Sequence, residues 1–171
     1  MNWLQVIQVG ATWGVVLSLT FTAAVLVMGR IDVMMLLREY PPDVQAKAGP
    51  MPEVSRRRAK RMQIPLVLVS DFVVACGLWQ LRSLLGELRF AETFLASTVI
   101  FQIWNLIDLL WLDWFILMTL RPRFMILPGT DGLAGYRDYK FHVNKFGRGI
   151  VLTTIMALIV TVVAVGLEAL I

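Results

Sequence analysis

The sequence predicts an all-α integral membrane bundle of four transmembrane helices, with short interfacial helices on the cytoplasmic side. Its composition is the first reason, because 58% of the 171 residues are hydrophobic and only 16% are charged. The mean hydropathy of +0.72 is the second, since it lies outside the range of ordinary soluble domains. The third is the presence of four apolar segments, each able to cross ~30 Å of hydrocarbon as a helix of ~20 residues.

The apolar segments divide the chain into spans and loops. The predicted spans are, in order, residues 3–28, 64–81, 94–120 and 150–171. The two long loops between them, 29–63 and 121–149, leave no room for a separate soluble domain, so residues 1–171 are predicted to form a single domain. The first segment has no basic n-region and no convincing cleavage site, which favours a retained span over a signal peptide.

Basic residues are distributed unevenly over the loops. Of the sixteen Lys and Arg residues, loops 29–63 and 121–149 carry fourteen, whereas only Arg82 and Arg89 lie between spans two and three. Because basic loops near span ends stay in the cytoplasm, both termini are predicted to face outside. This topology explains the basic balance without a nucleic-acid partner. The bilayer itself is the expected partner, with anionic headgroups contacting Arg56, Arg57, Arg58, Lys60 and Arg61.

Small side chains form a ridge along span one. They recur every four residues, at Gly10, Gly14, Ser18 and Thr22. Span four carries a weaker stripe of the same kind, formed by Thr153, Ala157, Thr161 and Ala164. Ridges of small residues let helices approach closely, so these two outer helices are expected to pack on each other or on a neighbouring subunit.

Span three carries polar side chains where a membrane helix normally has apolar ones. At 100° per residue, Gln102, Asn105 and Asp113 fall within an arc of about 80°, and Asp108 widens that arc to about 140°. Asp71 of span two lies at a similar depth, so the carboxyls of Asp71, Asp108 and Asp113 are predicted to face one cavity. Because no Lys or Arg is predicted at that depth, these acids are expected to lack a built-in counter-ion.

Three interpretations of this intramembrane polar site stay open. One is structural, with a protonated Asp bonded to Asn105, Ser70 or a backbone carbonyl. Another is a proton or cation site, since oxygen ligands suit hard ions. The last is a basic group supplied by a partner. A single His and a single Cys, far apart in sequence, argue against zinc or copper, and no metal or cofactor is expected.

An aromatic segment follows span three. Its aromatic and apolar residues share one helical face, which predicts a helix lying in the membrane plane, and they are Tyr136, Tyr139, Val143 and Phe146. This segment also contains the only histidine. A cap over the cytoplasmic mouth of the polar site is predicted from Tyr136, Asp138, Tyr139 and His142.

The polar positions of span three and the segment after it also form an ordered pattern. In chain order its members are Asn105, Asp108, Asp113-Trp114, Pro128-Gly129-Thr130, Gly135-Tyr136, Asp138-Tyr139, Phe141-His142, Phe146 and Gly149. Over residues 102–149 this pattern resembles a group of small uncharacterised bacterial four-span integral membrane proteins. The resemblance implies a protein of the bacterial inner membrane, and it implies no activity.

Two functions from different classes follow from these patterns. The small-residue ridges and the aromatic segment favour a non-enzymatic interaction or accessory subunit, bound to other membrane subunits or to copies of itself. The intramembrane carboxylates favour a proton- or cation-linked transport or sensing bundle. Four spans without broken helices or an inverted repeat favour the first. An enzyme is not expected, because there is no nucleophile elbow, metal motif or phosphate loop, and a hydrolase built from Asp113, Asp138 and His142 is the weakest hypothesis.

Overall fold

Four long helices make up the fold. The computed structural model describes residues 3–170, and within that range every regular element is helical. The segments long and apolar enough to cross a membrane are Trp3–Glu39, Glu53–Leu85, Phe90–Leu120 and Tyr139–Glu168. They confirm the predicted all-α membrane bundle. Met1, Asn2 and Ile171, which include both chain ends predicted to face outside, lie outside the described residues.

The first span ends in a tighter helix. Helix α1 covers Trp3–Asp32 and is followed by the 3₁₀ segment Val33–Glu39. The Asp32 carboxylate starts that segment by accepting a hydrogen bond of 3.1 Å from the Met34 N–H. The short helix α2, Pro42–Ala48, then begins with a proline in its first turn, a position where the missing N–H costs nothing.

The basic segment before span two and the span itself form one helix. Helix α3 covers Glu53–Leu85 and keeps Pro65 inside it. Its first turns extend beyond the predicted span 64–81 because Arg57 and Glu53 form an ion pair at 3.1 Å and good helix formers follow. The helix ends at Gly86, whose φ of +83° suits glycine.

Span three changes its helix type part-way along. Helix α4 covers Phe90–Ile107, and a π-helical segment, Asp108–Leu120, continues it. In a π-helix each N–H bonds to the carbonyl five residues earlier, so the turn is wider than in an α-helix and residues five apart share one face. π-Helical geometry is rare, and single π-helical turns inside α-helices are frequently found at functional sites.

The fourth helix is longer than its predicted span. Helix α5 covers Tyr139–Glu168, and the Asp138 carboxylate caps it by accepting a hydrogen bond of 3.0 Å from the Phe141 N–H. No proline interrupts it, so its first turns and the membrane span form one continuous helix. The prediction of a separate aromatic helix in the membrane plane is therefore wrong.

The ridge of small residues is used inside the chain. Helix α1 packs against α4 and α3, and α5 packs against α4. All four ridge residues, Gly10, Gly14, Ser18 and Thr22, are buried. A Cβ atom added at Gly14 would lie 2.9 Å from the Ile100 carbonyl oxygen of α4. The ridge thus packs helices closely as predicted, but the expectation that the two outer helices pack on each other is wrong, because both pack on α4.

Helices α3 and α5 are joined at one end of the bundle and flank a groove at the other. Near their carboxyl ends the Arg82 Nε atom lies 2.7 Å from the Glu168 Oε2 atom. At the opposite end lie residues 29–63 and 121–149, which include the first turns of α3 and α5 and carry fourteen of the sixteen Lys and Arg residues. This end, predicted to be cytoplasmic, is called the basic end below.

Candidate functional site

A large groove opens at the basic end of the bundle. Its volume is about 1210 Å³, and helices α1, α3 and α5 line it together with the π-helical segment. Ordinary small-molecule pockets measure ~300–1,000 Å³, so the groove is large. On α5, the lining residues Leu152 and Met156 are 62% and 43% exposed, which shows that the groove is open at its side, where hydrocarbon would lie.

One end of the groove holds a cluster of charged side chains. The Lys145 Nζ atom lies 2.8 Å from Glu39 Oε2 and 3.8 Å from the Oδ2 atoms of both Asp108 and Asp113. The His142 Nδ1 atom lies 2.9 Å from Asp113 Oδ2. These five residues are called the charged cluster below.

Local helix geometry brings the charged cluster together. Asp108 and Asp113 are five residues apart, which places them on one face of the π-helical segment although an α-helix would separate them by about 140°. His142 and Lys145 are three residues apart on α5 and therefore share a face of that helix. The two faces meet because α5 packs along span three.

The inner part of the charged cluster is buried. Asp113 is 2% exposed and His142 is 4% exposed. Although the imidazole approaches the Asp113 carboxylate, its Nδ1 atom is not aligned for a hydrogen bond, and the buried Oδ1 atom of Asp108 has no hydrogen-bond partner. Buried charges are costly unless they are paired and hydrogen-bonded, so this arrangement leaves part of the cost uncompensated.

Lys145 corrects the expectation that the acids lack a counter-ion. Residues 121–149 were predicted to be a loop, yet α5 begins at Tyr139 and carries Lys145 to the depth of Asp108 and Asp113. Glu39 enters the site in a similar way, at the end of the first span. In the sequence, the only sign that Lys145 belongs to this site is its spacing of three residues from His142, which places both side chains on one face of a helix.

Asp71 does not join the other acids. It is exposed on α3 and does not line the groove. The buried face of α3 passes through Val74, Gly77 and Leu81, and Asp71 lies to one side of it. The predicted cavity shared by three span carboxyls is therefore wrong for Asp71, while Asp108 and Asp113 do line one groove.

The two amides of the predicted site hold helices together. Gln102 Nε2 donates to the hydroxyls of Thr153 and Thr154 at 3.1 Å each. Asn105 Nδ2 donates to the Phe146 carbonyl at 3.3 Å, although Asn105 also lines the groove. Both side chains thus bridge span three to α5, next to the charged cluster.

Of the predicted cap, only His142 contacts an acid of the charged cluster. Tyr136 is buried, and its hydroxyl accepts a hydrogen bond of 2.9 Å from the Leu127 N–H. Asp138 caps α5. Tyr139 is half exposed and packs edge-on against Trp114, with 5.4 Å between the ring centroids. These three residues shape the connection before α5.

Tyr40 lines the groove at the end of the first span, and its hydroxyl makes the stability of the fold depend on pH. Its hydroxyl donates to the Met125 carbonyl at 2.6 Å, and burial, helped by the neighbouring Tyr136, raises the pKa of Tyr40 well above its ordinary value of 10.0. The folded state therefore needs the neutral phenol. We expect the contribution of Tyr40 to the free energy of unfolding to be fully present below pH 10.0 and to decrease above it. At that pH the phenol ionises in the unfolded chain but stays neutral in the folded one.

Thermal unfolding of the purified protein, from neutral pH to about pH 11, measures this effect. Tyr40→Phe is expected to lose about 1–2 kcal/mol at neutral pH, since the Met125 carbonyl is left without a donor. The same variant should lose less additional stability than the parent as the pH is raised. An equal alkaline loss in both proteins would show that another group is responsible.

Comparison of the chain with protein-family models, with curated protein sequences and with solved structures finds no match in any of the three. The resemblance of residues 102–149 to small bacterial membrane proteins therefore stays a prediction.

Proposed function

We propose that this chain binds and releases protons at the charged cluster, as a bundle for proton-linked transport or sensing in the membrane. The main support for this proposal is the excess of negative charge in the charged cluster. Three carboxylates, those of Glu39, Asp108 and Asp113, face one ammonium and one imidazole. Even with His142 protonated, negative charge exceeds positive charge by one within the cluster.

A proton suits this excess better than a metal ion. Among residues 3–170, no three His, Cys, Asp or Glu side chains are grouped closely enough to hold a metal ion. A proton needs no such ligand shell, and a proton on Asp108 removes the charge next to an oxygen that has no donor. The remaining charged or titratable residues that line the groove are Arg38, Tyr40, Arg56, Lys60 and Arg148.

The groove supplies a route to the charged cluster. Asp108 and Lys145 line it, whereas His142 lies buried behind Asp113. Imidazole is the side chain whose charge most readily changes near neutral pH, and here it contacts a buried carboxylate. This order, from the groove to Asp108 and then to the buried Asp113 and His142, supports proton uptake from the groove and storage on the two buried side chains.

Proton movement through Asp108→Asn protein in liposomes tests the proposal. We expect uptake, followed with a trapped pH-sensitive dye, to fall at least about tenfold because the amide cannot exchange a proton. Asp71→Asn is the matched control, since Asp71 is a span carboxyl outside the groove, and it should keep normal uptake. Thermal unfolding checks that both variants stay folded.

A sensing role is measured separately. Trp114 lies next to Asp113 in the chain and packs against Tyr139, so its fluorescence should follow protonation of the cluster. A sensor is expected to show a pH-dependent fluorescence change without flux, and Asp108→Asn should shift or remove that change. If the parent protein shows neither flux nor a fluorescence response between acid and alkaline pH, the proposal is wrong.

The interaction or accessory subunit is a second candidate, favoured by the outer surface of α5. Only 17% of the most apolar part of that helix is buried, against 28–33% for the other spans. The small-residue ridge of α1 does not support this hypothesis, because α4 of the same chain packs against it. Native mass spectrometry of the complex extracted from its membrane tests it, and a stoichiometric foreign subunit is the expected result.

A further inference from the structure

The rim of the groove carries cations without partners. Arg38, Lys60 and Arg148 line the groove, and within residues 3–170 none of them has a carboxylate within 4.0 Å. Arg56 joins them on the rim and has only the exposed Glu53, at 3.4 Å. They come from the end of the first span, from α3 and from α5, so one anion entering the groove would meet several of them.

Below this rim the wall of the groove is apolar and reaches into the membrane-spanning part of the bundle. Phe21 and Val25 of α1, Leu66 of α3 and Met156 of α5 line it. The wall also holds Trp104, whose buried Nε1 donor has no hydrogen-bond partner. The groove therefore presents unpaired cations on its rim, beside the charged cluster, and an apolar wall below them.

We propose that the groove binds one anionic phospholipid from the leaflet at the basic end. The phosphate lies between Lys60 and Arg148, and an acyl chain follows the side opening between α3 and α5. Basic residues near the membrane surface attract anionic headgroups, and the apolar wall replaces the hydrocarbon that the chain leaves. The inference is independent of the proton proposal, because it rests on rim cations and not on the charged cluster.

The shape of the site favours a lipid over a free phosphate. The apolar wall and the volume of about 1210 Å³ would contribute nothing to the binding of a free phosphate, whereas an acyl chain can occupy both. The side opening between α3 and α5 faces the direction from which a lipid arrives, and lining residues there are exposed in the isolated chain. A lipid is also present at high local concentration in the same leaflet.

The basic cluster of α3 divides into groove and outer residues, which provides a matched control. Of its five members, only Arg56 and Lys60 line the groove. Arg57 is paired with Glu53 and Arg58 with Asp32, at 3.1 and 3.4 Å. Simple attraction to the membrane surface would use all five, whereas a seated lipid depends on the groove members alone.

Native mass spectrometry of the full chain in mild detergent tests the proposal, with phosphatidylglycerol and phosphatidylcholine as probes. We expect one tightly held phosphatidylglycerol per chain and a preference of about tenfold over phosphatidylcholine. The double variant Lys60→Gln/Arg148→Gln should weaken that binding about tenfold. The control Arg57→Gln/Arg61→Gln removes the same charge outside the groove and should leave binding unchanged.

A second pair of variants tests the acyl-chain part of the groove. Leu66→Trp fills the apolar wall, while Val69→Trp adds the same ring to an exposed position of α3 that does not line the groove. Only Leu66→Trp should release the lipid. Equal weakening by both charge variants, equal binding of both lipids, or full competition by glycerol phosphate would each overturn the inference.

Discussion

Replacing Gly14 by leucine is expected to lower the stability of the bundle strongly. A Cβ atom at this position would lie 2.9 Å from the Ile100 carbonyl oxygen and 2.9 Å from Ile103 Cβ, both on α4. A backbone carbonyl cannot rotate away as a flexible side chain does, so α1 and α4 have to separate. Overpacking a tight contact costs ~1–3 kcal/mol and sometimes more. The contact joins α1 and α4, against which α3 and α5 pack, so the upper part of that range applies.

Thermal unfolding in detergent measures this loss, and a cost of ~3 kcal/mol corresponds to a decrease in the unfolding midpoint of about 6–12 °C. Gly166→Leu is the matched control: it adds the same side chain to α5, where an added Cβ atom meets nothing within 4 Å. It should unfold like the parent. A stable Gly14→Leu protein would mean that the packing of α1 on α4 is looser than the structure shows.

The four spans were predictable because they depend on one physical requirement. In hydrocarbon, backbone groups must be satisfied within the segment, so about 20 apolar residues are needed and composition reveals them. The helix partners were less predictable. Gly10 and Gly14 indicate that another helix approaches closely, but they do not indicate which one. In the structure it is α4 and not the fourth span.

The charged cluster was only partly predictable, for two local reasons. The first is the π-helical segment, which brings Asp108 and Asp113 to one face although their spacing separates them on an α-helix. The second is the early start of α5 at Tyr139. Hydropathy places the boundary of a span where apolar residues begin, so it assigned Lys145 to a loop. Helix continuity and the contacts with span three decide its actual place.

Replacing Lys145 by methionine is expected to destabilise the bundle strongly. Among residues 3–170, its ammonium is the one cation that contacts Glu39, Asp108 and Asp113 together. Removing one partner of a buried ion pair costs ~3–5 kcal/mol, because the remaining charge stays uncompensated. The Lys145 side chain is still 32% exposed, so water screens part of the charge and the lower part of that range is expected.

Two controls separate this effect from loss of packing. Lys140→Met removes a lysine from an exposed position on the same helix and should leave the unfolding midpoint unchanged. In the double variant Lys145→Met/Asp108→Asn, one carboxylate charge is removed together with its cation, so much of the lost stability should return. The difference between the double variant and the sum of the single variants measures their coupling.

The stability loss of the Lys145→Met variant is expected to depend on pH, because it comes from ionised carboxylates. The carboxylates of the charged cluster repel one another only when they are ionised, and protonation removes the excess negative charge. The loss of stability relative to the parent should therefore be largest at alkaline pH and should shrink as the pH falls. A loss that is constant over pH and unaffected by Asp108→Asn would mean that Lys145 contributes through its aliphatic stem. In that case the ammonium would not hold the acids of Asp108 and Asp113 in place, and the charge count behind the proton proposal would lose its structural basis.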